Sequence, residues 1–347
     1  MEYFGFEDMD LQQGLLRAIS EKGYAEPTPI QELAIPAALA GHDVMGQAQT
    51  GTGKTASFGI PILNRIVPGK GLQGLILCPT RELAVQVSEE INSLGIYLSI
   101  YTLAVYGGQA ITIQFKGLEK NPEIIVATPG RIMDHMNRRS IDLQTLEFIV
   151  LDEADEMLDM GFLPDIEKIL RNCPKKRQTS LFSATLSERI RNLGKKFMNN
   201  PQVFSVSSGE CTIAEIQYCF YEVNSQRKLE TLCKIIDVKA PASCLIFCRT
   251  KRSVGKLAGM LKRYGYSAGA LHGDMSQSER DHVMRKFRSN KLSILVATDL
   301  AARGLDIDVV SHVINFDLPE APDIFIHRTG RTGRAGRSGE AITLVDE

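Results

Sequence analysis

The run Ala48-Gln49-Thr50-Gly51-Thr52-Gly53-Lys54-Thr55 holds the residue types that grip a nucleoside triphosphate. Glycines free the backbone so that successive N–H groups converge on phosphate oxygens, and the helix that follows adds its positive N-terminal end. Gln49, Thr50, Gly51, Thr52 and Gly53 supply that cradle. Lys54 is placed to reach the β and γ phosphates, and the Thr55 hydroxyl is a ligand for Mg2+. Ala48 stands where the general pattern has its first glycine. Such a site needs a carboxylate on a neighbouring strand, and Phe148-Ile149-Val150-Leu151 runs directly into Asp152-Glu153-Ala154-Asp155. Asp152 suits the metal, through water, and Glu153 suits a base that orients and deprotonates the water attacking the γ phosphate. Acidic residues also favour the first turn of a helix. Beside a phosphate loop the catalytic reading prevails.

A second cluster lies near the other end of the chain. His327-Arg328-Thr329-Gly330-Arg331-Thr332-Gly333-Arg334 carries three arginines and one histidine within eight residues. By composition alone, a solvated basic loop and a phosphate site are equal readings. The reaction shifts the balance. Charge spreads over the γ-phosphoryl oxygens in the transition state, and an arginine finger there is worth ~10³–10⁵ in rate. The first half of the chain has no obvious finger of its own.

These residues need elements to hold them. Short apolar runs at 43–46, 74–79, 124–128, 148–151 and 180–183, then at 244–248, 294–298, 312–316 and 341–345, alternate with longer helix-like stretches. Continuous runs of this length read as parallel strands buried on both faces of an α/β sheet, with ligands beyond their carboxyl ends. The 347 residues exceed one ordinary core at ~100–200 residues per domain, so two domains are expected. Ser207, Ser208 and Gly209 mark a linker between them. The expected division is residues 1–207, a linker at 208–216, and residues 217–347.

Hydrophobic residues make up 44% and charged residues 23%, the balance of a soluble globular protein. The formal charge is -1, which excludes a gross polycation but not a nucleic-acid binder. Residues 1–214 carry 20 basic and 25 acidic side chains, and residues 215–347 carry 20 and 16, a mild asymmetry. No run of 18 apolar residues exists to cross a membrane, and Met1-Glu2-Tyr3-Phe4 is not the start of a secretory signal. The seven cysteines include no C-x-x-C pair. Cys244 and Cys248 would lie roughly 13 Å apart along a strand, too far to bridge. A cytoplasmic protein with reduced thiols is expected.

Read together, the motifs resemble the DEAD-box RNA helicases over nearly the full length, as a helicase core with little or no tail. Asp152-Glu153-Ala154-Asp155 spells the box that names the family, and Ala48 is the family's usual choice in the phosphate loop. Gly23-Tyr24 followed by Pro27-Thr28-Pro29-Ile30-Gln31, with Phe6 upstream, resembles the Q motif. The resemblance implies that Phe6, Tyr24 and Gln31 bind the adenine, the aromatic ring by packing and the amide through N6 and N7, a pairing amides make. Pro79-Thr80-Arg81-Glu82-Leu83, Gly107-Gly108 and Thr128-Pro129-Gly130-Arg131 resemble the segments that contact the RNA backbone. They offer hydroxyls, N–H groups and arginines, the usual phosphate ligands. Pro79, Thr80, Arg81, Gly108, Thr128, Gly130 and Arg131 are the implied contacts. Ser183-Ala184-Thr185 resembles the motif that couples hydrolysis to strand separation, with Ser183, Thr185 and His327 in that class.

In the second half, Leu245-Ile246-Phe247-Cys248-Arg249-Thr250, His272-Gly273-Asp274, Gln277-Ser278-Glu279-Arg280 and Ala297-Thr298-Asp299 follow in family order. They imply RNA contacts at Arg249, Thr250, Gly273, Gln277, Arg280 and Thr298. Arg303-Gly304-Leu305-Asp306 implies an ATP ribose contact at Asp306, and Arg331 and Arg334 become the implied finger residues. Thr329 departs from the family's branched apolar residue, its hydroxyl expected to be tolerated near a polar cleft.

The resemblance implies two tandem RecA-like domains, each a mostly parallel sheet flanked by helices. ATP and Mg2+ would bind chiefly on the first. Closure would bring Arg331 and Arg334 to Lys54, Thr55, Asp152 and Glu153. Two ligands that each prefer one closed state strengthen each other's binding, so RNA would stimulate hydrolysis and ATP would tighten RNA. The expected partner is single-stranded and duplex RNA, gripped by its backbone, with no membrane and a monomeric chain. The rivals are an ATP-gated RNA clamp that unwinds little and a helicase or translocase acting on DNA. A P-loop kinase would leave the second half unexplained.

Overall fold

In the computed structural model, which describes residues 5–48, 51–206, 216–302, 310–319, 321–333 and 338–346, the apolar runs are the central strands of two sheets. Gln49, Thr50, Asp306, Arg334 and residues 208–215 of the expected linker lie outside the described residues, as does the side chain of Gln277. The chain divides into two compact units, Met1–Ser207 and Ser208–Glu347.

The first unit contains β1 (Val44–Gln47), β2 (Gly74–Leu77), β3 (Thr102–Val105), β4 (Ile124–Ala127), β5 (Phe148–Leu151), β6 (Gln178–Ser183) and β7 (Gln202–Ser205) in the order β3-β4-β2-β5-β6-β1-β7. Every pairing is parallel. Side chains of a strand alternate faces, so an interior strand feeds two cores at once. Ile76, Ile124, Val126, Phe148 and Val150 enter one core cluster, while Leu75, Leu77, Ile125, Ala127, Ile149 and Leu151 enter another. That is why these stretches read as unbroken apolar runs.

The second unit contains β8 (Ile216–Val223), β9 (Cys244–Phe247), β10 (Ala268–Leu271), β11 (Ile294–Ala297), β12 (His312–Asn315) and β13 (Gly339–Asp346), ordered β10-β11-β9-β12-β13-β8, again all parallel. Cys244, Ile246, Ile294 and Val296 face one cluster, and Leu245, Phe247, Leu295 and Ala297 the other. The two sheets therefore share one plan over six strands, β3-β4-β2-β5-β6-β1 matching β10-β11-β9-β12-β13-β8. Parallel strands joined by helices put every strand's carboxyl end on one rim, and the crossovers that start there become the binding loops.

Four strands were not among the expected runs: β3, β7, β8 and β10. Each is the outermost strand of its sheet. β7 and β8 are largely solvated, so polar residues interrupt their apolar runs, whereas β3 (Thr102-Leu103-Ala104-Val105) and β10 (Ala268-Gly269-Ala270-Leu271) are short and carry small residues. β8 shows the pattern plainly, with Gln217, Tyr218, Phe220, Tyr221 and Glu222 exposed. No helix among the described residues is long and apolar enough to cross a membrane.

Candidate nucleotide site and nucleic-acid face

The first unit gathers its expected phosphate, metal and coupling residues after β1, β5 and β6, which are neighbours in the sheet. Gly53 closes the phosphate loop with φ 85°, a left-handed conformation that glycine alone adopts cheaply, and the helix Lys54–Arg65 starts at once. A Cβ on Gly53 would also collide with the amide of Gln31. That contact has a purpose. Gln31 Nε2 donates to the Gly53 carbonyl at 3.0 Å, and its Oε1 accepts from the Thr28 backbone N–H at 2.9 Å. Thr28 Oγ1 donates to the Thr52 carbonyl at 2.8 Å. The cap of one helix thus grips the phosphate loop. Among the described residues, each amide atom of Gln31 keeps one further hydrogen-bonding capacity.

Lys54 is 5% exposed, and its ammonium has no hydrogen-bond partner among the described residues. Asp152, 2% exposed at the end of β5, receives one bond among the described residues, from the Glu153 N–H at 3.0 Å. Burial pushes the Asp152 carboxyl up, and the nearby Lys54 charge pulls it back. An unpaired buried ammonium is costly, and so is a carboxylate with a single bond. Thr55 offers its hydroxyl from the first turn of the helix Lys54–Arg65. This set fits a phosphate with an oxygen-liganded divalent cation. Glu153, 6% exposed, adopts φ 50° and ψ 52°, a left-handed backbone disfavoured by about 1–2 kcal/mol in a residue with a Cβ. Strain of this kind persists where surrounding structure imposes it.

Ser183 and Thr185 sit beside this group. Thr185 donates from its N–H and its hydroxyl to Asp155 Oδ2, at 3.0 and 3.2 Å, and Ser183 Oγ donates to the Thr185 carbonyl at 2.6 Å. The Ala48 N–H donates to the Ser183 carbonyl at 3.0 Å. Asp155 therefore ties the segment after β5 to the segment after β6. Sequence reasoning gave it no task, although it closes the four-residue box that was noticed. Phe6 is 4% exposed within the apolar core, and the Tyr24 hydroxyl donates to Glu90 at 2.5 Å. Both were expected at an adenine; both are placed here in packing and in a side-chain pair. Of the three Q-motif residues, Gln31 is the one whose polar atoms touch the loop.

The expected RNA residues of this unit follow β2, β3 and β4, the other half of the same rim. Thr80 caps the helix Arg81–Leu94, accepting from the Leu83 N–H at 3.3 Å. Gly108 has φ 87°, and a Cβ there would run into the Arg81 guanidinium, so the two loops meet closely. Thr128 precedes the helix Pro129–Asn137, and Gly130 in its first turn faces open space. The Arg131 side chain is 13% exposed, donating to the Gln109 carbonyl and to Gln114.

In the second unit the expected RNA residues follow β9, β10 and β11, the matching strands. The Arg249 N–H donates to Asp317 Oδ2 at 2.8 Å, Thr250 caps the helix Lys251–Arg263, and Gly273 is exposed. Arg280 reaches the Ala301 carbonyl at 3.3 Å, and Thr298 accepts from the Ala301 N–H. Within the arginine-rich segment, Arg328 is 3% exposed and bound on every side. It pairs bidentately with Asp299 at 2.5 and 2.7 Å, donates to Asn315 Oδ1 and the Asp317 carbonyl, and lies 5.0 Å from the Phe247 ring centre. His327 and Arg331 line a cleft with Ala302 and Ile324. Thr329 is buried, 2% exposed, and its hydroxyl bonds back to the Phe325 carbonyl at 2.9 Å, the way a buried threonine satisfies itself within a helix.

Comparison with known proteins places the chain in a family. Residues 28–193 match the family described as DEAD/DEAH box helicase, and residues 227–336 match the helicase conserved C-terminal domain. The chain is 50% identical to a DEAD-box ATP-dependent RNA helicase CshA of Geobacillus kaustophilus, across 98% of this chain and 73% of that one. It is 49% identical to an ATP-dependent RNA helicase CshA of Listeria monocytogenes, of which it spans 66%. Among solved structures, S. cerevisiae Dbp5 bound to RNA and ADP BeF3 is similar with a TM-score of 0.87 at 34% identity, over 99% of this chain and 90% of that one. A DEAD box protein of Methanococcus jannaschii is 44% identical with a TM-score of 0.59, over 100% of this chain and 94% of that one.

Proposed function

This chain belongs to the DEAD-box ATP-dependent RNA helicases, and from that premise we propose how its residues divide the work. Lys54 and the N–H groups of the phosphate loop hold the β and γ phosphates. Thr55 and Asp152 hold Mg2+, which would screen phosphate charge when bound. Glu153 takes a proton from the attacking water, and its left-handed backbone keeps the carboxyl beyond the strand end. Gln31 reads the adenine edge with the capacity left over from its bonds to Thr28 and Gly53, so an occupied base pocket is felt directly by the phosphate loop. Arg331 and Arg334 supply positive charge to the transition state when the two units close.

RNA lies against the residues after β2, β3 and β4 of the first unit and after β9, β10 and β11 of the second. These are hydroxyls, arginines and open glycine backbone, which grip phosphates and sugars and carry little sequence preference. Asp155, held to Thr185, carries the state of the ATP half of the rim toward the rest. The protein works as a monomer in the cytoplasm, where its six described cysteines, all free, stay reduced.

The observation that carries the catalytic assignment is the buried ammonium of Lys54, without a partner beside an up-shifted Asp152. The test is steady-state ATP hydrolysis with and without single-stranded RNA, for the wild type and Glu153→Gln. Strong RNA stimulation, lost in the variant while ATP and RNA still bind, is the expected result. Loss of turnover in the variant without any RNA effect in the wild type would keep the phosphate site and reject the RNA assignment. Equal stimulation by DNA of the same sequence would reject a requirement for RNA. A strand-displacement assay with turnover separates unwinding from an ATP-gated clamp.

A further inference from the structure

Gln114, in the helix Ile111–Leu118, is 1% exposed and belongs to none of the motifs that pointed to function. Its amide is fully used. Nε2 donates to the Tyr106 carbonyl at 2.8 Å and to Gln109 Oε1 at 3.1 Å. Oε1 accepts from Arg131 Nη1 at 2.9 Å and faces His135 Nε2 at 2.9 Å. An amide has two donor hydrogens and two acceptor sites, so nothing is left over. The orientation is forced as well, because an arginine only donates and a carbonyl only accepts. His135, fully buried, must then carry its proton on Nε2. Its Nδ1 faces Ser140 Oγ at 2.8 Å, and the Phe115 ring stands edge-on at 5.6 Å. Burial, with the Arg131 charge next, holds this imidazole below its usual value.

The consequence concerns Arg131. Its guanidinium makes two bonds to the Gln109 carbonyl and one to Gln114. Two of its five N–H groups remain, one on Nη2 and the Nε–H, which lies 3.9 Å from Asp134. Gln114 thereby fixes which edge of the guanidinium faces outward. The same amide fixes the loop 106–109, which carries Gly108 against Arg81. Two loops from neighbouring strands, β3 and β4, are locked together by one buried side chain.

We propose that Gln114, steadied by His135, is a positioning residue for RNA binding: it sets Arg131 and the Gly107–Gly108 loop in the one arrangement that grips the RNA backbone. This rests on the assignment of Arg131 and Gly108 as RNA contacts. Removing the amide should act on RNA affinity and leave the ATP chemistry alone, because the partners of Gln114 are Tyr106, Gln109, Arg131 and His135, none of them in the phosphate loop or at Asp152.

The test uses Gln114→Met, close in volume and without polar atoms, in RNA-stimulated ATP hydrolysis. The RNA concentration for half-stimulation should rise about tenfold, in line with losing a hydrogen bond to a charged group. Turnover at saturating RNA and KM for ATP should stay within about twofold, a split that general loosening of the fold would not produce. Gln114→Glu keeps the size and the acceptor facing Arg131 but turns an oxygen toward the Tyr106 carbonyl and Gln109. It should also weaken RNA several-fold, and it serves if the methionine variant does not fold. The double variant Gln114→Met with Arg131→Ala should lose less RNA affinity than the two single losses added together, the remainder reporting on the Gly107–Gly108 loop. Wild-type RNA dependence in a folded Gln114 variant, beside an impaired Arg131→Ala, overturns the proposal. Wild-type RNA dependence in Arg131→Ala overturns instead the RNA assignment on which it rests.

Discussion

Lys54 in the first unit and Arg328 in the second are both buried cations at the carboxyl rim of a parallel sheet, 5% and 3% exposed, and the two units treat them in opposite ways. Arg328 is enclosed by Asp299, Asn315, the Asp317 carbonyl and the Phe247 ring. Lys54 has no hydrogen-bond partner among the described residues and only the field of a buried carboxylate nearby. A paired buried charge holds a frame together; one without a partner weakens the fold unless a ligand arrives. The second unit thus commits the first arginine of its basic segment to architecture, joining the segment after β11 to the end of β12. The first unit holds its lysine for phosphate.

Four substitutions would sharpen or break this contrast. The largest effect is expected for Glu153→Gln. Turnover with saturating RNA should fall about 10³-fold, ~4 kcal/mol in the barrier, within the range for losing a general base. Thermal unfolding should not change, because the amide keeps the size and the left-handed backbone. Retained turnover would remove Glu153 from its assigned place.

Arg328→Met should destabilise the second unit by about 3 kcal/mol, since it strands Asp299. The Asp299 side chain is 25% exposed, so water spares part of the cost. Calorimetry should show the second unit's transition moving down while the first unit's holds. The two need not unfold as one, so they must be followed separately.

Lys54→Met is the matched deletion and should behave in reverse. The nucleotide-free protein should melt no lower than wild type, because a buried charge without a partner has been removed. What should vanish is stabilisation by ATP, about 2.7 kcal/mol at a hundredfold excess over Kd for a ligand that binds only the folded state. A clear loss of stability without nucleotide would show that Lys54 supports the frame as Arg328 does. Thr329→Val carries the smallest change, below ~1 kcal/mol, because the hydroxyl serves only its own helix. A drop of several kcal/mol in melting experiments would mean that it does more.

The same contrast shows how far the sequence could be read. Among the three arginines of the segment from His327 to Arg334, spacing does not separate the structural one from the others. Arg328 is singled out by Asp299, 29 residues away, and by Asn315, 13 away. Asp155 was visible inside its box, yet its partner Thr185 is 30 residues on. Gln114 had no signal at all, because a lone glutamine in a helix is ordinary until the segments around Tyr106, Arg131 and His135 converge on it.

The sequence by itself determined the interior of both sheets, the placing of the phosphate loop before a helix, and the carboxylates at the end of β5. These are local matters. An interior strand is apolar on both faces, and a phosphate loop needs its glycines and lysine in consecutive positions, so neighbours along the chain carry the message. Only the tertiary structure decided the edge strands β3, β7, β8 and β10, the enclosure of Phe6, and which buried polar groups are satisfied. An edge strand is defined by what lies beside it, and a hydrogen bond across 20 or 30 residues leaves no periodic trace. Those long-range bonds fix the directions in which the local motifs point.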